Sequence, residues 1–320
     1  MKLKYKIYSI ISLILAANIA FAITIIPTAM GEIKIKEKPI RVITLEHRYT
    51  EMALGLGVAP VGVADIKSYK NYDGVLANGL NQALNVGRRE APNIETIARL
   101  RPDIIIGARL RNANAFPILS KIARTLLFNY IEISKTRQSP LQEMAQEFNL
   151  VAKALEKEKQ AKIVLSKYNK IIEEDKQKIS RLKQQGLLKS NKIAIAQFLP
   201  GSPKIRLFTT DSVAMNALVK VGLQPAWNVK GGDSNMGYLT VSINTLQSLG
   251  DFNFFYFNER SDQSQLKQTF NSKVWQSFNF VKSGSVYSMK EKTWPWGGPI
   301  AVADFISQVT SKLEKEAYRK

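Results

Sequence analysis

Asn93-Ile94-Glu95-Thr96-Ile97-Ala98-Arg99-Leu100, followed after two residues by Asp103-Ile104-Ile105-Ile106, is the stretch on which the fold turns. It reads as a capped helix that leads directly into a strand. Three consecutive isoleucines suit a strand buried on both faces, as in a parallel sheet covered by helices. The same arrangement returns in the second half of the chain. Ser242-Ile243-Asn244-Thr245-Leu246-Gln247-Ser248-Leu249 is followed by Phe252-Asn253-Phe254-Phe255. Upstream of each, a Gly turn closes the preceding helix: Gly57-Val58-Ala59-Pro60 in one case and Gly222-Leu223-Gln224-Pro225 in the other. Two similar lobes follow, and the cleft between two lobes is the default place for a ligand.

Outward from these anchors, strands are expected at Arg41 to Leu45, Val61 to Ala64, Lys192 to Phe198, Phe252 to Phe257 and Ser285 to Met289. Helices are expected at Thr50 to Leu56 and Ile300 to Leu313. Between the lobes, from Pro140 to Gln185, apolar residues from Leu141 to Leu182 recur broadly at helical spacing among Lys and Glu, and Gly186 supplies a stop. One continuous helix of that length measures about 68 Å, enough to run along both lobes. The alternative is two helices broken near Asn149. The expected organisation is an extension over 23–38, an N-terminal α/β lobe over 39–138, a connecting helix over 139–187 and a C-terminal α/β lobe over 188–320.

Residues 1–22 read as a cleaved secretory leader. Lys2, Lys4 and Lys6 precede an apolar run from Ile7 to Ala20, and Ala20-Phe21-Ala22 offers the small-residue cleavage pattern. No cysteine occurs among the 320 residues, which excludes disulfides, thiolate metal sites, cysteine nucleophiles and a lipid-acceptor Cys. An exported chain without a lipid anchor points to a periplasm and a soluble monomer.

The formal net charge is +20, a field that draws anionic partners. Its two cationic residues are distributed differently. Ten of the fourteen arginines lie between Arg41 and Arg137, whereas Leu141 to Lys189 holds ten lysines and only Arg181. Lysine suits a solvated face, and the guanidinium fork matches carboxylate geometry.

Loops beyond the carboxyl ends of strands carry the ligand in open α/β sheets. Arg48 with Tyr49, Arg88 with Arg89, and Arg109 with Arg111 follow first-lobe strands; Glu259 and Arg260 follow the second-lobe strand ending at Phe257. A cluster of like charges is costly unless something negative compensates it, so the set argues for an anionic ligand. Trp294-Pro295-Trp296-Gly297-Gly298-Pro299 offers two indoles on a stiffened loop, an amphipathic wall for a ligand with aliphatic arms and polar ends. Tyr238 and Met236, beside a Gly-bounded loop, are further pocket candidates. His47 is the only histidine, too few nitrogen ligands for bare transition-metal capture, and it fits a structural or rim role. No Gly-x-Ser-x-Gly elbow and no phosphate loop is present, which argues against an enzyme.

The strings Arg41-Val42-Ile43-Thr44-Leu45-Glu46, Leu56 to Asp65, Val86-Gly87-Arg88-Arg89 with Pro92-Asn93-Ile94-Glu95, and Leu100 to Ile106 resemble the ferric siderophore-binding proteins of ABC importers. Trp294 and Gly297-Gly298-Pro299 fit that family's C-terminal pattern. The resemblance implies two Rossmann-like lobes joined by a long helix, a shallow cleft, no catalysis and no cofactor: the ligand is iron(III) already held in a siderophore. It also implies an inner-membrane ABC permease as partner and no role for nucleic acid. Arg89 matches an arginine that contacts the iron-binding oxygens. Arg111 falls where carboxylate receptors carry Arg, and Met236 stands where hydroxamate receptors often place a stacking Trp, so a carboxylate or citrate-based ligand is expected. A hydroxamate receptor of the same family is the alternative, and a basic protein that binds polyanions or membrane is the alternative from another class. Glu95 matches a carboxylate that docks on the permease, while Asn244 occupies the corresponding second-lobe position.

Overall fold

The computed structural model describes residues 23–130, 139–199, 201–232, 236–258 and 263–319. The expected leader and Arg260 lie outside them.

The chain opens with an antiparallel hairpin, β1 (Thr24–Thr28) and β2 (Gly31–Ile35), within the stretch expected to be a plain extension. Its alternation is what attaches it: Ile26 and Ile35 are buried, and Ala29 N–H donates to the Leu127 carbonyl at 2.8 Å. The first lobe contains β3 (Val42–Thr44), β4 (Gly62–Val63), β5 (Leu84–Asn85), β6 (Ile104–Ala108) and β7 (Arg124–Phe128). These five strands pair in the order β5-β4-β3-β6-β7, all parallel. Every residue of β6 is buried. Ile104 and Ile106 face one apolar core with Val42, while Ile105 faces a second with Ile43, Val86 and Ile97. That is the period-two alternation of a strand with helices on both faces. Gly62 is required there, because a Cβ would come within 2.7 Å of Val86 and 2.9 Å of Leu100.

Helix α1 (His47–Gly55) leaves β3 at once, with Glu46 as N-cap, and α2 (Ile94–Arg99) is capped by the Asn93 side chain. The stretch expected to be one continuous helix is two. Helix α3 (Pro140–Ala154) starts with a capping box on Ser139 and Gln142, and α4 (Glu158–Gln184) follows after a turn at 155–157. In that turn Glu156 takes φ +53°, and Lys157 N–H returns to the Ala152 carbonyl at 2.8 Å. Buried Ala152, Ala154 and Leu155 hold the turn against the core, and no Gly or Pro marks it. The break lies past Asn149, where a two-helix alternative placed it. The remaining long helix has 27 residues, about 40 Å at 1.5 Å per residue.

The second lobe is built on β8 (Lys192–Phe198), β9 (Lys204–Phe208), β10 (Gln224–Pro225), β11 (Tyr238–Ser242), β12 (Asn253–Asn258) and β13 (Val286–Ser288). The order is β11-β9-β8-β12-β13, with β10 also paired to β8. Strands β8, β12 and β13 run parallel, whereas β9 is antiparallel to both its neighbours, β8 and β11, so this sheet is mixed where the first is purely parallel. Helix α5 (Val213–Lys220) covers it, and Gly222, at φ +95°, closes that helix as Gly57, at φ +74°, closes α1. Helix α6 (Pro299–Ala317) finally lies along α4. Buried Asp175 of α4 ties the two together by accepting from Ser307 Oγ and Thr310 Oγ1, each at 2.7 Å, and from Lys178 Nζ at 2.9 Å. Among the described residues no helix is long and apolar enough to cross a membrane.

Candidate functional site

The carboxyl ends of both sheets face a cavity of about 110 Å³ between the lobes. Ser68, Tyr72 and Arg89 line it from the first lobe, and Gln197, Arg206, Phe257, Glu291, Thr293, Trp294 and Trp296 from the second.

Arg89 is placed by backbone chemistry. Gly87, at φ +95°, turns the chain so tightly that a Cβ would lie 2.7 Å from the Asn93 nitrogen, and the residues after it fold back across the end of β3. Arg89 N–H and Nε donate to Asp65 Oδ2 at 3.0 and 3.3 Å, and Nη1 donates to Glu46 Oε1 at 2.9 Å. Arg111 joins the same carboxylate from the other side: its Nε donates to Glu46 Oε2 at 2.7 Å and its Nη1 to Glu90 Oε1 at 2.5 Å. Asn112 Nδ2 closes the arrangement on the Arg89 carbonyl at 2.8 Å. The arginines expected to await a negative ligand are therefore already compensated by Glu46, Asp65 and Glu90.

Glu46 is fully buried, and burial alone would raise its pKa. Arg89, Arg111 and His47 outweigh that and hold it at about 2. His47 is pulled down to about 4, first by burial and then by Arg89, against the opposing pull of Glu46 and Asp65. Its ring sits 5.4 Å from Tyr69 and 5.1 Å from Trp294, so it packs behind the indole as a neutral aromatic. Among the described residues no group of three His, Asp or Glu side chains is placed to hold a metal ion.

The opposite wall comes from the second lobe. Arg206 on β9 donates to Gln197 Oε1 at 2.9 Å across the β8–β9 pairing, and its guanidinium lies 4.9 Å over the Tyr238 ring. It makes no ion pair with a carboxylate among the described residues. Tyr238 itself is a support, packed edge-on to Trp296 at 5.9 Å and against Phe208. Trp296 is nearly buried and donates through Nε1 to the Met236 carbonyl at 3.0 Å. Trp294 stands beside it at 5.1 Å, with the Arg89 guanidinium 5.8 Å over its ring.

Arg111, though tied to Arg89 through Glu46, does not line the cavity, and two more of the expected ligand arginines stand elsewhere. Arg48 is not on a loop but in α1, 1% exposed, where its Nη1 donates to the Tyr130 carbonyl and pairs with Glu147 at 3.4 Å. Its Nε donates to the Trp296 carbonyl at 3.1 Å, so it carries the aromatic loop from behind. Arg88 points outward, its side chain 76% exposed, toward Glu90 at 3.8 Å. Glu95 and Asn244 are both exposed near the starts of corresponding helical segments. Glu46, Asp65, Gln197 and Arg206 also build the site, without standing out in the sequence. The strand-end rule reaches Glu46 and Gln197, but Arg206 lies in a strand whose short, mixed pattern gave no signal.

Two lobes, one built on a parallel and one on a mixed sheet, a long helix behind them and a cation- and aromatic-lined cleft in front define a ligand-binding protein. The chain belongs to the periplasmic binding protein family, whose model matches residues 42–293. That family comprises substrate-binding proteins for transport and not enzymes. Among relatives, the chain is 28% identical over 284 residues to the probable siderophore-binding lipoprotein YfiY of Bacillus subtilis, covering 85% of this chain and 81% of that one. It is 27% identical over 264 residues to the Fe(3+)-citrate-binding protein YfmC of the same organism, covering 82% and 77%. Among solved structures, Staphylococcus aureus SirA complexed with staphyloferrin B superposes with a TM-score of 0.73 at 26% identity, covering 91% of this chain and 98% of that one.

Proposed function

We propose that this protein captures an iron(III)-siderophore bearing carboxylate oxygens in the cleft between its lobes and delivers it to the permease of an ABC importer. The observation that carries this reading is the pair of guanidiniums on opposite walls of one cavity, Arg89 and Arg206, beside Trp294 and Trp296. Arg206, which makes no ion pair among the described residues, offers its charge to an anionic oxygen, and the indoles offer an apolar surface to the ligand's arms. The ferric citrate and siderophore relatives support the same class of ligand. The cavity is small, so it grips one part of the ligand while the rest occupies the open mouth. The protein acts as a periplasmic monomer released after Ala22, and Glu95 forms the first-lobe contact with the permease.

Tryptophan fluorescence titration with ferric dicitrate and ferric staphyloferrin B tests this. Saturable quenching is expected, with none for an iron salt lacking chelator. Arg206→Ala and Arg89→Ala each weaken binding about ten- to a hundredfold, the worth of one charge-assisted hydrogen bond, and Arg88→Ala changes it little. Arg89→Lys keeps the charge and loses the fork, so a loss there too identifies geometry as part of recognition. Equal binding by wild type and both cavity variants would assign these arginines to the surface.

A further inference from the structure

Arg89 and Arg111 share a partner inside the protein. Glu46 is 1% exposed and gives one oxygen to each: Oε1 to Arg89 Nη1 at 2.9 Å and Oε2 to Arg111 Nε at 2.7 Å. Oε1 also accepts from His47 N–H at 2.9 Å, which locks the carboxylate to the first turn of α1. Asp65 and Glu90 take a further edge of each guanidinium. A guanidinium has five N–H donors, and each one satisfied internally is lost to a ligand.

Resting on the siderophore reading above, we infer that Glu46 is a specificity-determining residue: a built-in carboxylate that orients Arg89 and Arg111 and cancels part of their charge. It thereby limits how much negative charge a ligand brings to the first-lobe wall. A ligand oxygen does not displace it, because Glu46 lies behind the arginines and is closed off from solvent. The first-lobe wall is selective by having its carboxylates already in place, with Glu46 shared by both arginines, whereas Arg206, which lines the opposite side together with Glu291, makes no ion pair among the described residues. The ligand class that fits is a ferric complex of low net negative charge whose carboxylate reaches Arg206, in preference to a highly anionic one.

The experiment compares wild type with Glu46→Gln and Glu46→Asp, after circular dichroism confirms folding. Three probes are titrated: ferric dicitrate, ferric desferrioxamine, whose complex carries no negative charge, and iron-free citrate. Glu46→Gln frees donor positions and one unit of positive charge, so ferric dicitrate and citrate should tighten about tenfold relative to ferric desferrioxamine. Glu46→Asp keeps the charge and should leave that ratio near wild type. An equal loss for all probes in Glu46→Gln means that Glu46 only supports the loop, and an unchanged ratio means that it does not set charge preference; either overturns the inference. Citrate separates this from the function itself: if no ferric complex binds wild type while citrate tightens in Glu46→Gln, the siderophore reading falls and the role of Glu46 stands.

Discussion

At the scale of single residues, the first-lobe wall shows why charge counting misleads. Arg89 and Arg111 were legible because strand-end loops are where α/β sheets present side chains, and Arg48 was misassigned by the same rule. The rule takes no account of helix α1 starting straight after β3, which puts Arg48 inside the protein against Glu147. Nor does it reveal that Glu46 stands between two arginines, since that proximity depends on loops 43 and 65 residues further along the chain folding back to one point. The cluster has a cost at low pH. His47 titrates at about 4 in the folded state against 6.5 ordinarily, so its depressed value favours the fold above pH 6.5 and that contribution is lost as pH falls toward 4. Glu46, at about 2 against 4.5, loses its contribution in the next window down. Urea denaturation of wild type and His47→Gln at pH 7, 5.5 and 4.5 separates the two. Wild type should lose stability faster across that range, with a total difference on the order of 3 kcal/mol by pH 4. Parallel curves would show that His47 is protonated in the folded protein.

Elements were legible where one pattern persisted. The triple isoleucine of β6, the Asn93 cap and the paired Gly57 and Gly222 turns are local, strong signals, and their repetition in the second half exposed two lobes. The antiparallel strands β9 and β11 were not visible because pairing direction is decided by which strands meet, and Lys204-Ile205-Arg206-Leu207-Phe208 reads equally well in either direction. The turn between α3 and α4 was silent for another reason. Helical periodicity resumes on the far side, and the residue that enters the left-handed region is Glu156, whose side chain is exposed. A glutamate there bears a steric penalty of roughly 1 kcal/mol that glycine avoids. Glu156→Gly should therefore stabilise the protein, by about 0.5 kcal/mol after the entropy of the unfolded glycine is deducted. A higher urea midpoint with unchanged slope is the expected result. A loss of 1 kcal/mol or more, as in an uninterrupted helix interior, would mean that the chain is helical through this point.

Across the whole molecule, the two lobes are held by more than the connecting helices. Glu51 of α1 lies in the first lobe, and its carboxylate accepts from the Gly298, Ile300 and Ala301 N–H groups at 2.5, 2.9 and 3.1 Å, capping α6 after the second-lobe aromatic loop. The N-terminal amides of a 19-residue helix form a natural carboxylate seat, and each buried N–H left without a partner would cost about 1–3 kcal/mol. Glu51 is pushed up in pKa by burial, which those three donors oppose. Arg48 adds a second crossing through the Trp296 carbonyl. A hinge that closed the cleft by rotating one lobe would break both seats inside the core, so ligand capture should proceed with the lobes nearly fixed. Small-angle scattering should then show radii of gyration for free and ferric dicitrate-loaded protein that agree within about 1 Å, the scale of pre-organised complexes. Glu51→Ala removes the crossing while leaving Arg89, Arg206 and both tryptophans in sequence. It should lower the urea midpoint, broaden the free-state scattering profile and weaken ligand binding, because Trp294 and Trp296 lose the anchor that presents them. A wild-type protein that contracts by several ångströms on loading would instead make the Glu51 seat a latch that opens, and the fixed cleft would have to be abandoned.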